Sequence, residues 1–140
     1  MRIKSLELNL FGKFNEKVFD FGSKEDDKSD FHVIFGPNES GKTTTMEAYL
    51  RLLYGFPIKE KFAFRHDRKN LRVSGILETN QNMLSVSRIT SKNGSLRDIN
   101  NNILPETEIL SLLNGFSQNQ YKQLLCLDDE TIERGGDEIV

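Results

Sequence analysis

Eight consecutive residues, Gly36-Pro37-Asn38-Glu39-Ser40-Gly41-Lys42-Thr43, satisfy the pattern G-x-x-x-x-G-K-[ST] at every specified position, and no other stretch constrains the fold as tightly. Glycines let the main chain take positive φ and wrap close to a phosphate, so that successive N–H groups converge on an anion. Such a loop needs a buried strand before it and a helix after it, whose N-terminus favours negative charge. Both flanks read that way. Residues 31–35, Phe-His-Val-Ile-Phe, are short, mostly apolar and rich in β-branched and aromatic side chains, as in a central buried strand. From Thr43 the apolar positions Met46, Tyr49, Leu50 and Leu53 recur at three and four residues, predicting an amphipathic helix to about Tyr54, stopped by Gly55 and Pro57.

The chemistry follows from the spacing. The backbone of Pro37, Asn38, Glu39 and Ser40 cradles phosphate between the two glycines, and Lys42 reaches the β- and γ-phosphates as a point charge. The Thr43 hydroxyl is placed to coordinate Mg²⁺, and Thr44 is a further phosphate contact. The expected ligands are ATP and Mg²⁺. Preference for ATP rests only on the absence of a guanine-reading Asn-Lys-x-Asp motif. A phosphate loop also needs an acidic metal partner at the end of an apolar strand. The one candidate, Leu124-Leu125-Cys126-Leu127-Asp128-Asp129-Glu130, has two readings: a strand ending at Asp128, or the continuation of a helix begun at Ser117, because Tyr121, Leu124 and Leu125 keep helical spacing.

Elsewhere, Leu6, Leu8 and Leu10 alternate with Ser5, Glu7 and Asn9, predicting a strand from Ile3 with one buried face, and residues 16–21 return as a second strand. Residues 22–30 form a polar, acidic turn. Residues 71–79 and 83–90 predict two more strands joined by Asn80-Gln81-Asn82, with a further turn at Lys92-Asn93-Gly94, an antiparallel meander. Pro105 suits a helix start ahead of Ile109, Leu110, Leu112 and Leu113, and Ser117 with Gln120 forms a capping box for a second short helix. No repeat or long linker divides the 140 residues, so a single domain is expected.

The charge balance of 19 Lys+Arg against 21 Asp+Glu excludes a chain that is basic throughout, so nucleic-acid contact requires a local patch. Lys59, Lys61, Arg65, Arg68, Lys69 and Arg72, against Glu60 and Asp67, supply a local +4 (six minus two) with Phe62 and Phe64 interleaved. Within it Arg65, Arg68 and Lys69 are the candidate DNA contacts, set against the plainer reading of a solvated loop. The acidic stretch 128–138 disfavours DNA contact there. No apolar run approaches the roughly 18 residues of a membrane span, and one cysteine, Cys126, cannot form an internal disulfide, so a cytoplasmic protein without a membrane partner is expected. His32 and His66 show no zinc-site spacing, and Cys126 reads as a small buried hydrophobe.

Taken together, the opening residues 1–14 with Phe11-Gly12-Lys13-Phe14, the run 33–44 through the phosphate loop, Leu52-Leu53-Tyr54-Gly55, and the late segment with Leu127-Asp128-Asp129-Glu130 and Arg134-Gly135-Gly136 resemble the N-terminal half of ABC-type ATPase heads. The group is that of SMC and double-strand-break-repair proteins, with the bacterial YhaN-like AAA family closest. The resemblance implies a P-loop α/β lobe, with a mixed sheet and an antiparallel strand subdomain, spanning residues 1–140. It further implies a coiled coil and a C-terminal half of the same polypeptide that supplies the signature motif, Walker B and catalytic Glu. The present chain would then be an N-terminal lobe that binds ATP and hydrolyses little alone. Lys13 and residues 59–61 fall where relatives place nucleotide contacts, and Asp129 falls at the metal-sensing Q-loop position, where this sequence has no Gln. The implied partners are a second head in a head-to-head homodimer, DNA and a metallophosphoesterase-type nuclease subunit, in DNA repair or processing. Two other readings stand beside this one: a regulatory nucleotide-binding module that controls partner assembly, and a compact NTPase with Asp128 as its metal partner.

Overall fold

The structure, a computed structural model, describes residues 1–125; residues 126–140, and with them Cys126, Asp128 and Asp129, lie outside the described part. By compactness the chain divides into two units, Met1–Glu106 and Thr107–Val140. The single lobe expected from sequence spans both.

The first unit is built on a five-stranded sheet of order β2-β1-β3-β4-β5. Its strands are β1 (Arg2–Phe11), β2 (Phe14–Asp20), β3 (Arg72–Glu78), β4 (Met83–Ile89) and β5 (Leu96–Arg97). In β1 the alternation works as the period of two requires, burying Leu6 and Leu8. It then breaks. A register shift against β3 between Leu8 and Leu10 inserts an extra residue, so Phe11 rather than Leu10 is the next fully buried side chain. β2 begins at Phe14, two residues earlier than expected, because Phe11 pairs directly with Phe14 across the tight Gly12-Lys13 turn. β3 and β4 form the expected hairpin, with Gly75 opposite Val86.

One helix, α1 (Lys42–Tyr54), packs on β1, β3 and β4. Ala48, Leu50, Leu52 and Leu53 are buried with Leu71, Val73, Leu77, Val86 and Leu96, and each fully buried leucine contributes about 2 kcal/mol. Gly55 ends the helix at φ 87, its N–H donating to Arg51 O at 2.8 Å. Further carbonyls of the last turn are satisfied from the sheet. The buried Arg88 of β4 donates through Nε to Leu52 O at 3.2 Å and through Nη2 to Leu53 O at 3.0 Å, and its Nη1 pairs with Glu106. Met46 and Tyr49, expected in the same buried face as Leu50 and Leu53, line an open, mainly apolar cavity of about 340 Å³ with Ile3, Leu6, Phe21 and Ile34.

The sheet corrects the expected fold in one respect. Every pairing of the described strands is antiparallel, so the mixed sheet is not formed here. Residues 31–35, predicted as its central buried strand, join no ladder among the described residues. Phe31 and Phe35 are 81% and 88% exposed. Local composition predicts a strand, but a strand is buried only where neighbours supply both its hydrogen bonds and its covering faces.

In the second unit α2 (Thr107–Leu110) is a single turn, shorter than the run of apolar residues led one to expect. Ile109 and Leu113 are buried, whereas Leu110 is exposed. The capping box is present. Gln120 N donates to Ser117 Oγ at 3.3 Å, and Ser117 N donates to Gln120 Oε1 at 2.9 Å, opening α3 (Gln118–Leu125). Leu124 and Leu125 belong to that helix, so the first two residues of the proposed metal-binding strand are helical.

Candidate functional site: the phosphate loop and its supports

Gly36 to Thr43 run into α1 as the pattern demands, with Gly41 as N-cap at φ 106. Only glycine accepts that backbone without strain. The space is equally decisive: a β-carbon on Gly41 would fall 2.6 Å from Phe14 Cε2, and one on Gly36 would fall 2.6 Å from Ser40 Oγ. The helix start has no side-chain cap and no acidic residue in its first turn, so its leading N–H groups and positive dipole end are left for an external acceptor.

Lys42 Nζ folds back over the loop and donates to Gly36 O at 2.5 Å and Pro37 O at 3.3 Å. Both acceptors are neutral carbonyls, which leaves its charge uncompensated. Thr43 is exposed at the loop mouth, where its hydroxyl suits a hydrated Mg²⁺. Thr44 turns its methyl toward Gly12, where a β-carbon would lie 2.6 Å away. Thr45 Oγ1 donates back to Gly41 O at 2.8 Å. These donors fit a triphosphate with its metal, through the open amides, Lys42 and Thr43.

Lys13 lies at the site but in a role sequence did not indicate. Its Nζ donates to Glu39 O at 2.7 Å and sits 5.5 Å from the Phe14 ring centroid. Glu39 holds φ 64, a conformation uncommon for a residue with a β-carbon. The β1–β2 turn thus supports the loop at three points: Gly12 under Thr44, Lys13 on Glu39 and Phe14 against Gly41. Phe14 had no functional signal of its own beyond its place in the Phe11-Gly12-Lys13-Phe14 run.

The same turn is held from behind by residues following α1. Gly12 N donates to Phe62 O at 2.8 Å and His66 Nε2 to Phe14 O at 3.0 Å. The Phe62 and Phe11 ring centroids are 5.2 Å apart. Lys59, Lys61, Arg65, Arg68 and Lys69 are all exposed on this connection; none of them contacts the phosphate loop through a hydrogen bond among the described residues.

The approach to the loop is pinned near Asp30. Arg2 pairs with Asp30 at 2.8 Å and Glu78 at 3.0 Å and donates to Phe21 O and Gly22 O. The hydrogen bond from Arg2, followed by that from His32 (2.8 Å), holds the Asp30 carboxyl below the usual carboxylate range.

With the loop, the helix and their supports in view, comparison with known proteins gives the class. Residues 1–140 match the AAA domain family, so the chain belongs to that family of AAA-type ATPases. The chain is also 29% identical over 133 residues to the uncharacterized protein YhaN of Bacillus subtilis (strain 168). That match covers 91% of this chain and 13% of the relative, so the chain spans about an eighth of the length of the protein it resembles. Among the described residues no helix is long and apolar enough to cross a membrane.

Proposed function

We propose that this chain binds ATP with Mg²⁺ through Gly36, Pro37, Asn38, Glu39, Ser40, Gly41, Lys42, Thr43 and Thr44, as the N-terminal half of an ATPase head. One observation carries the binding reading: α1 opens with no side-chain cap and no first-turn acid, and the unneutralised Lys42 stands at its mouth. A triphosphate completes those groups with charge-assisted hydrogen bonds. Lys13 supports the same loop through Glu39 O.

The half-head reading is supported by residues 31–35. An apolar segment outside every ladder of the described residues acquires hydrogen-bonding neighbours when further strands are supplied, and in this reading the C-terminal half of the polypeptide supplies them together with the catalytic acid. ATP then closes two heads against each other, and the cycle serves DNA processing or repair. The compact-NTPase alternative is disfavoured by α3, which takes Leu124 and Leu125 as helix.

The test is a calorimetric titration of the chain with ATP and Mg²⁺. Saturable binding is expected, lost by at least tenfold in Lys42→Ala with the circular dichroism spectrum unchanged. Thr43→Ala should retain nucleotide binding but lose much of its Mg²⁺ dependence. Equal affinity of wild type and Lys42→Ala would sink the assignment.

A further inference from the structure

Between α1 and β3 the chain carries five exposed cations, Lys59, Lys61, Arg65, Arg68 and Lys69, without regular structure beyond one 3-10 turn, Arg68–Asn70. Counted in sequence, Glu60 offsets part of that charge. In the fold it does not. Its side chain is fully buried, pairs with Arg51 at 2.6 Å and accepts Phe62 N at 3.1 Å, while Arg51 also holds Glu47 at 2.9 Å. Within residues 59–69 the one exposed acid is Asp67, so that segment presents +4 (five minus one). Lys92 adds to it from the β4–β5 turn, across an open notch of about 410 Å³ also lined by Tyr54, Ile58, Arg68, Thr90 and Glu106, whose carboxylate is paired with the buried Arg88.

This connection is strapped at several points. Arg68 Nη2 donates to Pro57 O at 3.0 Å, Thr90 Oγ1 to Arg68 O at 2.7 Å, and Phe62 O and His66 take part in the bonds to the β1–β2 turn. Arg68 therefore keeps its full charge while its position is set. Against that backbone Phe64 stands 65% exposed and Ile58 90% exposed. Single-stranded nucleic acid uses both features together, phosphates on cations and bases stacked on exposed rings. An anionic membrane fits less well, because Ile58 and Phe64 are separated by charged residues and the segment forms no amphipathic helix.

We propose that this face, centred on Arg65, Arg68, Lys69 and Phe64 with Lys59, Lys61 and Lys92 around them, binds single-stranded nucleic acid. The proposal narrows the DNA-linked part of the function given above and is independent of nucleotide binding. Fluorescence anisotropy of the whole chain with labelled single-stranded DNA and RNA 20-mers tests it, with a duplex of the same length and phosphatidylserine vesicles as comparisons. Binding to the single strands is expected, weakening with salt at a log–log slope of about −2 to −3, as for three or four phosphates neutralised. The double variant Arg65→Glu/Arg68→Glu should weaken it at least about tenfold, and Lys59→Glu/Lys61→Glu gives a second charge reversal at separate residues. Phe64→Ala should cost about fivefold or more on single strands and far less on the duplex. Lys42→Ala should bind oligonucleotide like the wild type. Affinity untouched by both charge reversals, tighter binding to duplex than to single strands, or binding to vesicles but not oligonucleotides would each overturn the proposal.

Discussion

Val73 and Leu77 of β3 are buried, whereas Phe31 and Val33, in a segment no less apolar, stand in solvent. Both stretches have the composition of a strand. β3 lies between β1 and β4 and has α1 over one face, so its backbone groups are paired and its apolar side chains covered. Residues 31–35 join no ladder among the described residues, and Phe31, Val33 and Phe35 are left largely uncovered, since the sheet is already closed around β3 by antiparallel neighbours. Apolar sequence thus states what a segment can bury, and the neighbouring chain decides whether it does.

The sharpest way to break this contrast is at Arg88, where the sheet meets the end of α1. Arg88→Met removes the donors for Leu52 O and Leu53 O and the partner of Glu106. A loss of about 2–4 kcal/mol is expected by urea denaturation, at the lower side of values for a broken buried pair because Glu106 is half exposed. A loss below about 1 kcal/mol would mean that the two elements are not joined there.

A smaller effect is expected at Gly75, whose added β-carbon would lie 2.6 Å from Leu52 Cδ2 and 2.8 Å from Ser5 O. The backbone atom cannot yield as a side chain does. Gly75→Ala should therefore cost about 1–3 kcal/mol in the same measurement.

The opposite outcome is expected in the exposed segment. Phe31→Ser, Val33→Ser or Phe35→Ser should each change stability by less than about 0.5 kcal/mol, as at a surface site. A loss of 2 kcal/mol or more at any of them would show that the residue is covered in solution.

The smallest effect is a titration. Because Arg2 lowers the folded-state pKa of Asp30, the linked stabilisation is present above the unfolded carboxylate pKa and is lost as pH falls through the lower folded value. Carbon-detected NMR of the Asp30 carboxyl should place its midpoint below the usual range, and Arg2→Gln should raise it. Asp98, whose carboxyl is lowered chiefly by the Asn102 side chain and then by the Asn102 and Asn100 amides, should not respond to Arg2→Gln.

Features set by short-range order were legible without a structure. The extents of α1, β3 and β4 and the capping box at Ser117 follow from periodicity, stop residues and a three-residue spacing, because each depends on groups adjacent in the chain. The lead of the glycine-framed run 36–43 into α1 was legible for the same reason. The support at Lys13 and Phe14 was less so, since it joins residues more than twenty positions apart. The burial of Phe11 in place of Leu10 depended on a register shift against β3, and a pairing register is not written in either strand alone.

Thus the order of amino acids by itself determined the glycine-framed loop, the helix that follows it and the antiparallel meander, all properties of contiguous residues. Only the tertiary structure decided which charges and apolar groups meet water. Glu60 is buried against Arg51 and its neighbours Lys59 and Lys61 are not, Arg88 lies in the core, and Phe31 and Phe35 lie outside it. Burial belongs to pairs of surfaces, and the second surface in each case comes from a distant part of the chain.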